Sequence, residues 1–230
     1  MADQLVALNS HEHRSLRLRQ RHSEAAHFTE IMPSEFAGAA ASCPILLAKS
    51  PETGAFYVGA MFGFKPGENL LSDHRDGAAP TYRTLDQQRE GFYVSEDEIA
   101  IDPTCPRFSE YEGELLFDMD GRPATPLRHI RRVLTQLVTG KHESETFTAT
   151  LLRLKLIEPI DISLNFDDGE KLVLQGLYTV SLDTVNELED SAVLDLFRKG
   201  YLQLIYTMVG SLKHVSALAH IRNHRLSRAA

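Results

Sequence analysis

Two nearly continuous apolar runs, separated by a short turn segment, constrain the fold of this chain more than any other feature. The first run covers residues 44–49 and the second covers residues 55–62. Between them, the sequence Ser-Pro-Glu-Thr-Gly at 50–54 has the composition of a hairpin loop that ends in glycine. Because neither run alternates apolar with polar residues, both are predicted to be strands that are buried on both faces.

The segment that follows, from 63 to 125, is predicted to be rich in short strands. A Pro-Gly pair at 66–67 and Asp-Gly pairs at 76–77 and 120–121 are turn signals that divide it. Between these turns lie apolar stretches of strand length, at residues 91–94, 98–101 and 114–117. The front half of the chain is therefore expected to be mainly β.

The hydrophobic period changes near residue 126. Spacings of three and four, typical of an amphipathic helix, connect Ile130, Val133, Leu134, Leu137 and Val138. A second helix is expected to contain Phe147 and Leu151 and to be bounded by Pro159, and a hairpin is expected around residues 167–169. A last helix is predicted with one apolar stripe, formed by Leu202, Ile205, Val209, Leu212 and Val215.

The composition is that of a globular chain with a sizeable core. Of 230 residues, 43% are hydrophobic and 24% are charged, which excludes a wholly disordered protein. We find no internal repeat and no low-complexity linker. The sequence therefore predicts one α+β domain over residues 1–230, β-rich over 14–120 and mainly helical, with one hairpin, over 126–225.

The formal net charge of −8 argues against binding to nucleic acid, because an acidic surface repels phosphate groups. Local basic patches occur near both ends of the chain, but neither contains the aromatic residues on which bases stack; they are Arg14, Arg17, Arg19 and Arg21, and Arg222, Arg225 and Arg228. No nucleic-acid partner is expected.

The arginines at 14–21 follow a strand-like alternation, with Leu16 and Leu18 on one side and Arg17 and Arg19 on the other. Charge is a common device for protecting the edge strand of a sheet from further pairing. An exposed row of arginines could instead bind an anionic partner or a peptide added to that edge. We favour edge protection.

Signals for export and for membrane insertion are not found in the sequence. The N-terminus lacks a basic start and an apolar run of signal-peptide length. The longest candidate for a membrane span, residues 201–221, is interrupted by Lys213 and His214. Cys43 and Cys105 form no CxxC pair and are expected to be small buried apolar residues. A cytoplasmic location is expected.

Several short motifs, taken in order, resemble the bacterial SapC family over residues 28–221. They are Pro33-Ser34-Glu35-Phe36, the segment 63–70 (Gly-Phe-Lys-Pro-Gly-Glu-Asn-Leu), Ile101-Asp102, the segment 113–118 with Gly121, and Gly200-Tyr201-Leu202 through Ser211-Leu212. The aromatic that the family often carries after its Asp-Gly turn is replaced here by Ala78 and Ala79. The resemblance implies a surface-layer or envelope and nutrient-uptake context, and it carries no catalytic residues over to this chain.

Ten histidines raise the question of a metal site. His74 and Asp76, with His129 or His142 as a third ligand, would match the two-histidine, one-carboxylate set of non-haem iron oxygenases. The alternative is a polar loop that turns at Asp76-Gly77. His220 and His224, one helical turn apart, are expected to be a solvated helix end rather than metal ligands.

Nucleophile and phosphate-binding motifs such as GxSxG, GxGxxG and the P-loop are absent from the sequence. We therefore predict a non-catalytic binding or accessory protein with a protein or peptide partner, without a cofactor; a homo-oligomer is compatible with the sequence. One alternative is an iron-dependent oxygenase that uses His74, Asp76 and His129. The other alternative is a structural protein of a surface layer.

Overall fold

The computed structural model describes residues 5–19, 26–71, 82–95 and 98–229, and side chains up to residue 227. Within these ranges the chain forms eleven strands: β1 (Val6–Ala7), β2 (Arg17–Leu18), β3 (Phe28–Glu30), β4 (Ile45–Lys49), β5 (Phe56–Met61), β6 (Phe92–Ser95), β7 (Glu98–Ile101), β8 (Phe108–Ser109), β9 (Glu114–Leu115), β10 (Ile157–Asn165) and β11 (Lys171–Val180). It also forms seven α-helices: α1 (Phe36–Ala39), α2 (Leu85–Gln88), α3 (Thr125–Arg153), α4 (Leu182–Asn186), α5 (Asp190–Arg198), α6 (Tyr201–Ser211) and α7 (His214–Ala229).

Residue contacts divide the chain into two compact units. Unit 1 comprises Met1–Ser23 and Leu85–Thr139, and unit 2 comprises Glu24–Thr84 and Gly140–Ala230. Each unit is built on its own β-structure and is described by itself. The expectation of one domain over residues 1–230 is not tested by this division and stays a prediction.

Unit 1 contains two small antiparallel sheets and one apolar core. The strand order is β1-β7-β6 in the first sheet and β8-β2-β9 in the second. Phe92 and Ile101 are paired across β6 and β7, and both are buried. The first half of α3 completes this core with Leu127, Ile130 and Leu134. The strands predicted around 91–94 and 98–101 are confirmed.

The arginines of the N-terminal strand do not lie on a sheet edge. β2 is the central strand of its sheet, because Arg17 pairs with Ser109 on one side and with Leu115 on the other. The guanidinium groups of Arg17 and Arg19 donate hydrogen bonds, at 3.1 and 3.3 Å, to the carbonyls of Gly113 and Pro106. Both edge interpretations are therefore wrong for these arginines, since their side chains fasten neighbouring backbone to β2. Arg21 lies outside the described residues.

Unit 2 is built on a five-stranded antiparallel sheet with the order β10-β11-β4-β5-β3. β4 and β5 form the predicted hairpin, from the pair Ile45 and Ala60 to the pair Lys49 and Phe56. Alternate residues of these strands point to opposite faces, and both faces are buried, as predicted. One face packs against α1, α5, α6 and the end of α3, and the other packs against α7 in a core that also contains side chains of β10 and β11.

Two predicted helix boundaries are wrong. The two helices expected between 126 and 154 are one helix of 29 residues, α3. In its middle, a Cβ on Gly140 would lie 2.8 Å from the side chain of Met32, so this glycine allows close packing and does not end the helix. The stripe expected on one last helix belongs to both α6 and α7. The chain turns between them because Met208 and Leu218 pack in cores on opposite faces of the sheet.

The hairpin expected around 167–169 is confirmed, and its strands pair from Ile157 with Val180 to Asn165 with Lys171. Pro159, expected to bound a helix, lies in the edge strand β10, where a missing N–H is tolerated. The α+β class is confirmed, with the sheets mainly in the front half and the helices mainly in the back half. Among the described residues, no helix is long and apolar enough to cross a membrane.

Candidate functional site

An open groove in unit 1 is lined by α3 and by the face of the β1-β7-β6 sheet. Its volume is about 690 Å³. The sheet contributes Val94 and Ile99 to the lining, the chain after β1 contributes Leu8, and the helix contributes Leu134 and Val138. The groove is thus a mainly apolar surface between two regular elements, and its size is that of known ligand sites.

The groove exists because the apolar face of the sheet extends beyond the core. The buried pair Phe92 and Ile101 is followed, two residues along the strands, by the pair Val94 and Ile99 on the same face. Val94 is 49% exposed, and Val138 on α3 is 60% exposed. Neighbouring exposed apolar side chains on two elements are typical of an interaction surface.

Two charged side chains also line the groove, Arg131 from α3 and Glu98 from β7. Within the described ranges, neither side chain makes a hydrogen bond or an ion pair. One helical turn earlier, by contrast, Arg128 donates hydrogen bonds to the carbonyl of Pro123 and the hydroxyl of Thr125. An unpaired cation and an unpaired carboxylate beside an apolar surface can select and orient an occupant by charge.

Of the ligands predicted for the iron site, only the two candidates for the third position, His129 and His142, lie in the described part of the chain, and both are exposed on α3. His74, Asp76 and the turn expected at Asp76-Gly77 lie outside the described part. His129 is exposed on α3, and its Nε2 lies 3.0 Å from Oε1 of Gln88. Within the described ranges, no three His, Cys, Asp or Glu side chains are arranged to hold a metal ion. Iron at His74, Asp76 and His129 stays a prediction.

Helix α7 carries an ionic cluster that the sequence did not predict. Arg222 is only 7% exposed. Its Nε lies 3.3 Å from Oε1 of Glu68, and its Nη2 donates a hydrogen bond of 2.7 Å to Oε2 of Glu170, which also pairs with Lys65. The Arg222 guanidinium stacks on Phe166, with Cζ 4.1 Å from the ring centroid. We call Arg222, Glu68, Glu170 and Lys65 the Arg222 cluster.

The Arg222 cluster holds the loop that follows β5 against α7. Glu68 accepts a 2.7 Å hydrogen bond from the backbone N–H of Phe64, and Arg225 donates to the carbonyls of Asn69 and Leu70 at 3.0 and 2.9 Å. The hydrogen bond from Lys65, supported by the charge of Arg222, holds the pKa of Glu170 below its ordinary value. His220 and His224 are exposed on α7, as expected for a solvated helix end, whereas Arg222 and Arg225, which belong to the C-terminal basic patch, are held against this loop. The Arg228 side chain lies outside the described residues.

Comparison with known protein families identifies the chain at the level of a family. A family model described as SapC matches residues 8–218. The chain belongs to the SapC family. No curated protein and no solved structure matches it. The function of this SapC protein therefore has to be inferred from its geometry.

Two of the SapC-like segments form tightly packed loops in unit 2. The segment 63–70 is the loop held by the Arg222 cluster. The segment 33–36 leads into α1 through a 3-10 turn at Pro33–Glu35, where the carboxylate of Glu35 accepts hydrogen bonds of 2.8 Å from the Met32 N–H and from the Tyr82 hydroxyl. Burial and the neighbouring charge of Glu35 raise the pKa of Tyr82. In both segments, hydrogen bonds with polar side chains therefore hold the backbone in place.

Both cysteines of the SapC chain are buried free thiols, as predicted. Burial raises the pKa of Cys43 to about 12, and its Sγ donates to the Ala39 carbonyl at 3.1 Å. Burial also raises the pKa of Cys105. Because the thiolate is the reactive form, neither thiol is suited to nucleophilic chemistry at neutral pH.

We expect the native protein to resist alkylation by iodoacetamide at about pH 8, since protonated buried thiols react slowly. In urea, both cysteines should react at the rate of an unfolded peptide. Mass spectrometry of the peptides that contain Cys43 and Cys105 measures each rate separately. Labelling of Cys43 in the native protein as fast as in urea would contradict its burial and raised pKa.

Proposed function

We propose that this SapC protein is a non-catalytic binding protein whose unit 1 groove accepts an apolar segment of a protein partner. The observation that carries this proposal is that exposed Val94 and Val138 line one mainly apolar groove together with Arg131 and Glu98, which have no partner among the described residues. Filling the groove removes apolar surface from water, which is the main favourable term in most protein association. The SapC resemblance supports an accessory role in envelope or nutrient-uptake biology.

The groove suits a peptide segment because its two walls are a helix and a sheet face. Side chains from the occupant would pack between Val138 on one wall and Val94 and Ile99 on the other. Arg131 would pair with an acidic group of the partner, which gives specificity more than affinity. The raised pKa values of both thiols also support binding over covalent chemistry.

A photo-reactive amino acid, p-benzoylphenylalanine, placed at Val138 tests the proposal in cells that make the chain. We expect irradiation to give a discrete adduct, because a side chain at this position would point into the occupied groove. Mass spectrometry of the adduct should identify an apolar partner segment. The matched control carries the same group at Val173, which is 55% exposed on β11 in unit 2.

Adduct formation at Val138 but not at Val173 supports the groove as the binding surface. No discrete adduct at Val138, or the same adduct at both positions, would exclude the groove as the binding surface.

The iron-oxygenase and surface-layer alternatives are tested separately. Stoichiometric iron in the purified protein, lost on His74→Ala, would replace the binding proposal. Cell fractionation tests the expected cytoplasmic location, and finding the protein only in the cytosol would exclude a surface layer.

A further inference from the structure

Helix α5 of unit 2 is apolar on two sides. Its inner side places Leu196 in the core, where this residue is fully buried. On the outer side, Leu194 is 45% exposed and Phe197 is 69% exposed. Asp190 lies on the same outward stripe, because residues separated by three and four share a helix face. We call Asp190, Leu194 and Phe197 the α5 ridge. An exposed phenylalanine beside an exposed leucine is suited to insertion into another surface.

The helical wall of the unit 1 groove has the same spacing as the α5 ridge. Arg131, Thr135 and Val138 are also separated by four and three residues, and all three are exposed. At a helical rise of about 1.5 Å per residue, the charged and apolar ends of each stripe lie about 10 Å apart. The groove wall begins with a cation where the ridge begins with an anion. The two stripes are therefore complementary in charge and equal in length.

We infer that the α5 ridge of a second copy of this chain occupies the unit 1 groove, an inference that rests on the proposed function. With the two helices parallel, the Asp190 carboxylate meets the Arg131 guanidinium and the Phe197 ring enters the groove beside Val138. Thr135, a small residue, leaves room for Leu194. The antiparallel arrangement would place Asp190 against Val138 and Arg131 against Phe197. The Asp190 carboxylate would then lie on an apolar surface without a cation to pair with, which is unfavourable.

Because the ridge and the groove are different surfaces of the same chain, each copy offers one of each. Such a contact is heterologous, and it allows further copies to add to a first pair. Because the two surfaces are different, each can be removed by a separate substitution. Phe197→Asp removes the ridge and leaves the groove, whereas Val138→Asp removes the groove and leaves the ridge. Both residues are exposed, so neither change disturbs a core.

Sedimentation velocity over a range of protein concentrations measures the association. We expect the average mass of the wild type to rise with concentration and each variant alone to stay monomeric. An equimolar mixture of Phe197→Asp and Val138→Asp should form dimers and nothing larger. The first variant keeps only an intact groove and the second keeps only an intact ridge, so one contact can form between them. Val173→Asp, a matched change at an exposed valine outside both surfaces, should associate like the wild type.

Charge reversal tests the orientation of the contact. Arg131→Glu should weaken self-association by about tenfold or more, because it places the new carboxylate face to face with the carboxylate of Asp190. Mixing Arg131→Glu, Phe197→Asp chains with Asp190→Arg, Val138→Asp chains should restore the dimer through one reversed ion pair. Failure of this mixture to pair, when the two unreversed variants do pair, would overturn the parallel alignment.

Other outcomes separate this inference from the proposed function. A wild type that stays monomeric at all concentrations overturns the second-copy inference and leaves the photo-crosslinking test of the groove unaffected. Normal association of Phe197→Asp, with loss in Val138→Asp, shows that another segment fills the groove and also overturns the inference. Monomeric variants whose mixture stays monomeric overturn it as well.

Discussion

Replacing Arg222 by leucine is expected to lower the free energy of unfolding by about 3 kcal/mol, the lower end of the loss seen when one partner of a buried ion pair is removed. Lys65 still pairs with Glu170 in this variant, but Glu68 loses the only cation that contacts it in the described residues. The side chain of Glu68 is 20% exposed, so water compensates only in part. Urea unfolding followed by circular dichroism measures the loss.

Two further variants show whether burial causes the effect. Arg222→Lys keeps the charge but cannot reach two carboxylates and stack on Phe166 at the same time, so an intermediate loss is expected. Lys199→Leu removes an exposed pair with Asp195, and such a pair contributes about 0.5 kcal/mol or less. Equal losses in Arg222→Leu and Lys199→Leu would contradict a structural role for the Arg222 cluster.

The features that the sequence predicted correctly depend on neighbouring residues. The β4–β5 hairpin follows from two apolar runs and a turn that ends in Gly54, whose φ is +69°. The hairpin of β10 and β11 follows in the same way from the turn that contains Gly169. Strand period and turn chemistry act over a few residues, so one chain without its relatives suffices to find them.

The features that were missed depend on residues far apart in the chain. Arg17 was assigned to an edge strand because the two strands that pair with β2 begin about ninety residues later. Nothing in the sequence around Arg17 indicates that these strands pair with it. Arg225 binds a carbonyl 156 residues earlier in the sequence. A basic side chain near a helix end has the same sequence pattern whether it faces water or a loop from elsewhere.

The groove was visible in the sequence only in part. Leu134 and Val138 were correctly placed on the apolar stripe of a helix, but the stripe alone does not say which of its residues are covered. The sheet reaches Leu134, which is buried, and leaves Val138 exposed one turn later. That difference depends on how far β6 and β7 extend along α3, which is a property of the packed unit. The exposure on which the proposed function rests therefore came from the structure.

Gly63→Ala is expected to destabilise the protein by about 3 kcal/mol or more, the upper range for inserting an atom into a packed site. A Cβ at this position would lie 2.3 Å from the carbonyl oxygen of Glu68, and a backbone atom cannot rotate away as a side chain can. The loop would have to open, which strains the 2.7 Å hydrogen bond from the Leu70 N–H to the Phe62 carbonyl. Urea unfolding measures the loss.

A glycine in open surroundings provides the control. Gly210 lies in α6, and outside its own stretch of helix no atom of the described residues lies within 4 Å of the position of an added Cβ, so Gly210→Ala should stabilise the helix by up to about 1 kcal/mol. Opening of the loop by Gly63→Ala should also separate Glu68 from Arg222. The double variant Gly63→Ala, Arg222→Leu should then lose less stability than the sum of the single losses, because both changes break the same contact. Strictly additive losses would show that the loop keeps its position and that the clash at Glu68 is relieved elsewhere.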